Sequence, residues 1–68
     1  METVRIDDVN FDQAEVSVTM RTVRGNVVNL DFDPEGYADC QTLMQYSPDE
    51  ARKLAAALIL AAEEAENQ

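Results

Sequence analysis

The chain of 68 residues contains no histidine and no tryptophan, and it has a single cysteine, Cys40. Without histidine, neither a Ser–His nor a Cys–His nucleophilic pair can form. One cysteine can make no internal disulfide, and with no histidine it cannot complete a zinc site. Cys40 falls within a predicted strand, where we expect a small buried hydrophobic residue. We therefore expect a protein that is not an enzyme and that uses no cofactor.

Positive charge is also scarce, because fourteen acids stand against five Lys and Arg residues and leave a formal net charge of −9. Direct nucleic-acid binding needs clustered cations and is not expected. The apolar run at 54–62 is far shorter than the roughly 20 residues that span a bilayer, and the polar positions of its helix are mostly acidic and would be repelled by anionic lipid. The N-terminal residues lack the pattern of a signal peptide. We predict a cytoplasmic protein without membrane or nucleic-acid partners, whose charge serves solubility or a basic protein partner.

A helix start is encoded at Ser47, Pro48, Asp49 and Glu50. Ser47 can accept a hydrogen bond from the backbone N–H of Glu50, and proline is well suited to the first helical position. The Glu50 carboxylate can in turn reach the N–H of Ser47. The pattern predicts a helix over about 48–65.

This helix is apolar almost all round, which a helix with a single partner does not need. One stripe, expected to cover a sheet, consists of Ala51, Leu54, Ala55, Leu58, Ile59 and Ala62. Ala57, Leu60 and Ala61 lie outside that stripe. A chain this short buries only about 60% of its unfolded surface and gains from association. We predict a homodimer with an interface around Ala57, Leu60 and Ala61.

Ahead of the helix, apolar and polar residues alternate with the period of two that is typical of strands. The alternation and the turn residues predict strands at about 3–7, 14–23, 27–33 and 37–45. The predicted fold class is therefore α+β: a three- to four-stranded antiparallel β-meander with one C-terminal helix packed on one face. The whole chain, 1–68, is predicted to form a single small domain.

Turn chemistry predicts the strand registers. A three-residue loop at 24–26 places Val18 opposite Phe32 and gives Asn26 the left-handed conformation. A second three-residue loop at 34–36 places Leu30 opposite Cys40 and Val28 opposite Thr42. The predicted inner face contains Val16, Val18, Met20, Val28, Leu30, Phe32, Ala38 and Cys40, with Val9 and Phe11 packed at its edge.

The acidic segment 31–39 partly matches a calcium-binding loop, with Asp31 and Asp33 at the first and third positions. The match fails at the twelfth position, where Thr42 replaces the bidentate glutamate. The predicted register instead places Asp31 opposite Asp39, beside Thr19 and near Arg21, where opposed like charges would favour a cation or a basic partner group. Three interpretations stay open for Asp31, Asp33 and Asp39: a solvated hairpin, a weak metal site, or an acidic patch that faces a protein.

The segment from Ser47 to Leu58, together with the acidic end at 63–66, resembles the ending of small uncharacterised proteins of actinobacteria and their phages. The resemblance implies such an origin, a few strands followed by one helix, and an accessory protein that binds something in the host. It brings no catalytic residue and no assigned activity. We predict a non-enzymatic, self-associating, acidic protein-binding accessory or regulatory module with an unidentified host protein as partner. An acidic nucleic-acid mimic that inhibits a DNA-binding protein is the alternative, and a weak calcium-binding module is a third possibility.

Overall fold

The computed structural model describes residues 1–34 and 42–67. These residues form one four-stranded antiparallel sheet, with the strands side by side in chain order, and one C-terminal helix. The elements are β1 (Val4–Asp7), β2 (Gln13–Thr22), β3 (Gly25–Asp31), β4 (Leu43–Tyr46) and α1 (Pro48–Glu66). The predicted α+β class, meander and helix are thereby confirmed. The first part of the predicted fourth strand lies outside the described residues.

The register between β2 and β3 differs from the predicted one. Val18 lies opposite Val28, not opposite Phe32. The shift of four residues along β3 is even, so the β2 residues up to Thr19 stay on their predicted face of the sheet. Over that stretch, the error changes which residues are neighbours without mixing the two faces.

The cause of this shift is the hairpin between β2 and β3. Thr22 pairs with Gly25 across a two-residue loop, and the register slips by one residue between Thr19 and Thr22. Positive φ angles occur at Gly25 (87°) and Arg21 (60°), so the left-handed conformation predicted for Asn26 is wrong. The side chain of Asn26 instead accepts a hydrogen bond from the backbone N–H of Arg21 at 2.8 Å.

The register between β3 and β4 also differs from expectation. Leu30 lies opposite Met44, and Val28 lies opposite Tyr46, so the predicted pairings with Cys40 and Thr42 are wrong. Thr42 lies at the end of β3, where its carbonyl accepts a hydrogen bond from Phe32 N at 3.3 Å, and the described pairing with β4 runs from Leu43 to Tyr46. Much of the predicted loop at 34–36, and the predicted inner-face positions Ala38 and Cys40, lie outside the described residues.

The sheet has one apolar and one polar face. The apolar side, called the inner face here, presents Ile6, Val16, Val28, Leu30 and Tyr46 toward α1. The opposite side, the outer face, presents Arg5, Glu15, Ser17, Thr19, Val27, Asn29, Asp31 and Gln45. Among the described residues, only Val27 (6% exposed) and Asn29 (8% exposed) are buried, and both lie on the outer face.

The start of α1 follows the prediction. Ser47 Oγ accepts a hydrogen bond from Glu50 N at 3.2 Å, and Pro48 occupies the first turn. The Glu50 carboxylate pairs with Lys53 Nζ at 3.0 Å and does not reach back to the N–H of Ser47, so this half of the predicted cap is wrong. The first turns of α1 lie over the inner face, where Ala51 and Leu54 are half-buried.

Beyond Leu54, α1 is exposed at every described position through Asn67. Leu58 and Ile59 were expected to cover the sheet, but they remain 61% and 60% exposed. The reason is length and position: α1 has 19 residues, roughly 28 Å of helix, and lies beside β3 and β4 rather than across all four strands. The inner face of β1 and β2 is consequently left open.

The molecule is extended for its size. Its accessible surface is 5835 Å² and its radius of gyration is 13.6 Å. A folded monomer of 7.6 kDa is expected to expose about 4,300 Å² and to have a radius of gyration of about 11 Å. The single chain thus leaves roughly 1,500 Å² more surface in water than its mass requires.

Candidate functional site

An apolar surface remains accessible on the open part of the inner face. Val4, Ile6, Val18 and Met20 on β1 and β2 are exposed there. A groove of about 190 Å³ separates these strands from α1, and its lining contains no charged side chain. Contiguous apolar surface of this kind is rare on monomers and is typical of protein-binding sites.

The exposed half of α1 adjoins this open surface. Leu58, Ile59 and Leu60 follow one another on the helix, so they cover more than half of its circumference. Leu60 is 67% exposed, and Ala57 and Ala61 beside it are exposed as well. The three predicted interface residues are therefore accessible, and their burial against a second copy stays a prediction.

A second surface lies where β1 ends and β2 begins. Asp7, Asp8, Asp12 and Asp33 line an open concavity of about 920 Å³ together with Phe11 and Phe32. Asp8 organises it, because its Oδ1 accepts hydrogen bonds from Asn10 N at 2.8 Å and Asp12 N at 2.9 Å. This surface, called the acidic end here, combines carboxylates with two exposed aromatic rings, a chemistry that suits a basic side chain.

The loop at the acidic end turns its apolar residues outward. Phe11 has a φ of 65° and is 90% exposed, and Val9 is exposed to a similar extent. The prediction that both pack at the sheet edge is therefore wrong. The tight turn around the Asp8 carboxylate accounts for this, because it closes the loop with polar contacts and leaves Phe11 at a positive φ with its ring exposed.

Asp31 does not have the surroundings that its predicted register implied. It lies opposite Leu43 on β4 and opposite Glu15 on β2. Thr19 pairs with Val27, four residues from Asp31 and so roughly 13 Å away along β3. The predicted neighbours Thr19 and Arg21 are thus wrong, and Asp39 lies outside the described residues, although a like charge, Glu15, does stand opposite Asp31.

The Asp31–Glu15 pair is offset by local partners. Arg5 Nε contacts Glu15 Oε1 at 2.8 Å on the outer face. Asp31 Oδ1 accepts hydrogen bonds from Asp33 N at 3.0 Å and Thr42 Oγ1 at 3.4 Å. Within residues 1–34 and 42–67, no group of three or more acids, cysteines or histidines could hold a metal ion. Asp39 lies outside those ranges, so the weak metal candidate made of Asp31, Asp33 and Asp39 stays a prediction.

A hydrogen-bond network occupies the centre of the outer face. Asn29 Nδ2 donates to Thr19 Oγ1 at 2.8 Å and to Ser17 Oγ at 3.3 Å. Its Oδ1 accepts from Gln45 Nε2 at 3.1 Å. Both donors and the acceptor of this buried amide are satisfied, which removes the usual penalty for burying a polar group. Nothing in the alternation pattern distinguishes Asn29 from an ordinary exposed residue, and sequence reasoning missed it.

Unpaired charges of opposite sign lie at two separate ends of the molecule. Arg21 and Arg24 flank the β2–β3 hairpin, whereas Glu63, Glu64 and Glu66 lie in the last turns of α1. In the part of the chain that the structure describes, the ion pairs join Arg5 to Glu15, Arg52 to Asp49 and Lys53 to Glu50, and none includes these five residues. Sequence reasoning missed this separation, because it counted the charges without placing them.

No protein-family model, curated protein or solved structure matches this chain. The resemblance to actinobacterial and phage proteins therefore stays a prediction. No helix in the described ranges has the length and apolar character needed to cross a bilayer.

Proposed function

We propose that this chain is a small, non-enzymatic accessory or regulatory module that acts by binding protein, including a second copy of itself. The observation that carries the proposal is its accessible surface of 5835 Å² against about 4,300 Å² for an ordinary monomer of this mass. A standard protein interface buries about 800 Å² on each partner, so the excess is large enough for one. Binding would complete a core that one chain leaves open.

Each of the two surfaces has its own role in this proposal. The open inner face, with Leu60 and its neighbouring alanines on α1, mediates self-association. The acidic end, with Asp7, Asp12 and Phe11, receives a basic segment of a host protein, since its carboxylates and exposed ring suit lysine or arginine. We place the protein in the cytoplasm of an actinobacterium or of a cell infected by an actinophage.

The alternative, an acidic mimic of nucleic acid, requires a continuous stripe of unpaired acids. Most of the described acids instead fall into separate groups at the acidic end, in the first turn of α1 and in its last turns, and Glu15 and Asp31 lie on the outer face. Asp49 and Glu50 in the first turn are paired with Arg52 and Lys53. This distribution favours protein binding over nucleic-acid mimicry.

Self-association is tested by Leu60→Glu. We expect sedimentation equilibrium to give a dimer mass for the natural chain and a monomer mass for the variant, because a buried carboxylate next to a second copy would be strongly unfavourable. Val9→Glu is the matched control, since it introduces the same charge on an exposed apolar residue at the acidic end and should leave the mass unchanged. A variant mass equal to that of the natural chain would rule out Leu60 as an interface residue.

The host-partner part is tested by capture from an actinobacterial lysate with the tagged natural chain and with Asp7→Asn/Asp12→Asn. A partner that the natural chain retains at low salt and the variant does not would support the acidic end as its binding site. If the captured protein binds DNA and DNA displaces it, the mimic is favoured instead. Equal capture by both chains would remove the acidic end from the proposal.

A further inference from the structure

Each chain has an apolar sheet surface that no helix covers, on β1 and β2, and an apolar helix surface that no sheet covers, on α1. The helix surface of one copy could cover the sheet surface of another. Val18 and Met20 on β2 lack a helix above them, whereas α1 from Leu58 onward lacks a sheet below it. In a twofold dimer, each contact of one copy is repeated by the other. A second copy can therefore cover both surfaces at once, whereas an unrelated partner would need to supply a helix and a sheet together.

We infer that the occupant of the open inner face is the exposed half of α1 from a second copy, laid along β2 of the first copy with its acidic tip at the first copy's β2–β3 hairpin. The inference rests on the proposed function and identifies the partner and its orientation. From Leu58 to Glu66, α1 rises roughly 12 Å. From Val18 to Thr22, β2 rises roughly 13 Å. When Leu58 lies over Val18, the helix tip consequently reaches the hairpin.

Charge selects this orientation over the reverse one. The helix tip has three acids, Glu63, Glu64 and Glu66, no basic residue in its last turn, and the negative end of the helix dipole. The hairpin has Arg21 and Arg24, which lack ion pairs within the described residues. In a twofold dimer the acidic tip of each copy then lies beside the arginines of the other copy's hairpin, so this favourable contact occurs twice. It counteracts the repulsion between two chains of net charge −9.

The area is also consistent with this arrangement. Roughly 1,500 Å² of excess surface on each copy exceeds the 800 Å² or so that a standard interface buries per partner, and it falls in the range of stable homodimers. The groove beside α1 has no charged lining, so a second helix can enter it without stripping water from an ion.

Two charge-reversed variants test the arrangement. The first, the hairpin variant, contains Arg21→Glu and Arg24→Glu. The second, the tip variant, contains Glu63→Arg, Glu64→Arg and Glu66→Arg, and arginine near a helix C-terminus also favours the helix. Both alter exposed side chains, and circular dichroism verifies that each variant retains the sheet and helix.

Sedimentation equilibrium at about 0.15 M salt measures the dimer dissociation constant. We expect each variant alone to dimerise at least tenfold more weakly than the natural chain, because like charges then meet at both contacts. An equimolar mixture should form heterodimers about as tightly as the natural chain, since the tip of each variant then meets a hairpin of opposite sign. Native mass spectrometry identifies the heterodimer, because the two variants differ in mass.

The possible outcomes test this dimer arrangement separately from the proposed function of self-association. The tip variant is less acidic than the natural chain, so tighter dimerisation by this variant would mean that overall repulsion governs assembly, and the inference would be overturned. A natural dimer that Leu60→Glu dissociates but that neither charge variant affects would be a helix-to-helix dimer, which overturns the inference and retains self-association. A natural chain that stays monomeric at all concentrations would overturn both.

Discussion

The two faces of the sheet contrast in a way that reverses the usual order of burial. The outer face is polar, yet it contains the two most buried side chains of the described chain, Val27 and Asn29. The inner face is apolar, yet Ile6, Val18 and Met20 on it remain exposed. Polar side chains that form hydrogen bonds with one another can bury their neighbours on the face of a single sheet. An apolar sheet face, by contrast, must be covered by a helix or by another sheet. The outer face is therefore complete in one chain, and the inner face is not.

Leu54→Ala is expected to have the largest effect. Leu54 is half-buried between α1 and the inner face. Its truncation should lower the free energy of unfolding by about 2 kcal/mol, the low end for leucine-to-alanine changes, because the site is not fully enclosed. The loss should grow with protein concentration, since a dimer encloses the site further. Urea unfolding followed by circular dichroism at about 5 and 500 μM measures the loss in free energy of unfolding and its dependence on concentration. A loss independent of concentration would mean that the inner face is already complete in one chain.

Asn29→Ala removes the centre of the outer-face network and should have the next largest effect. Ser17, Thr19 and Gln45 would lose a partner but can bond to water in part, so we expect a loss of about 1–2 kcal/mol. Because the outer face lies away from the proposed interface, this loss should be the same at both concentrations. A loss that increased with concentration would place the outer face in the dimer contact instead.

The smallest effects, and the closest comparison, come from two valines on opposite faces. Val27→Ala should destabilise a dilute sample by about 1.5 kcal/mol, from the two methyl groups removed from a buried site. Val18→Ala should cost about half as much when dilute, since Val18 is 37% exposed in one chain. At high concentration the two losses should become similar, because a second copy would bury Val18. Thermal unfolding resolves them, as 1 kcal/mol shifts the midpoint by about 4–8 °C in a domain of this size.

The strands and the helix could be predicted from the sequence, because the patterns that determine them involve residues close together in the chain. The period-two alternation gave the strands, and the cap at Ser47 with Pro48 gave the start of α1 to the residue. The class of fold then followed from one apolar sheet face and one apolar helix. These features depend on residues close together in sequence, so no knowledge of distant neighbours was needed.

The strand registers and the candidate site could not be predicted from the sequence, because they depend on contacts between residues that are distant in sequence. Asn26 bonds to the backbone of Arg21 across the hairpin, and the two-residue loop and the bulge together place Val18 opposite Val28 instead of Phe32. Turn propensity alone does not anticipate such a bond. The exposure of Leu58 similarly depends on where α1 crosses the sheet, which no periodicity encodes. Sequence reasoning thus identified the spare apolar surface of α1 and missed its counterpart on β1 and β2.

The strand order has a kinetic consequence. Each strand of the sheet pairs with its neighbour in the chain, from β1 through to β4, so no distant segments must meet before the sheet forms. Folds with such short-range pairing have low contact order and tend to fold quickly. In an assembling population, the sheet would be in place long before two dilute chains meet. The speed of assembly would then be set by encounter, and it should rise in proportion to concentration rather than wait on folding.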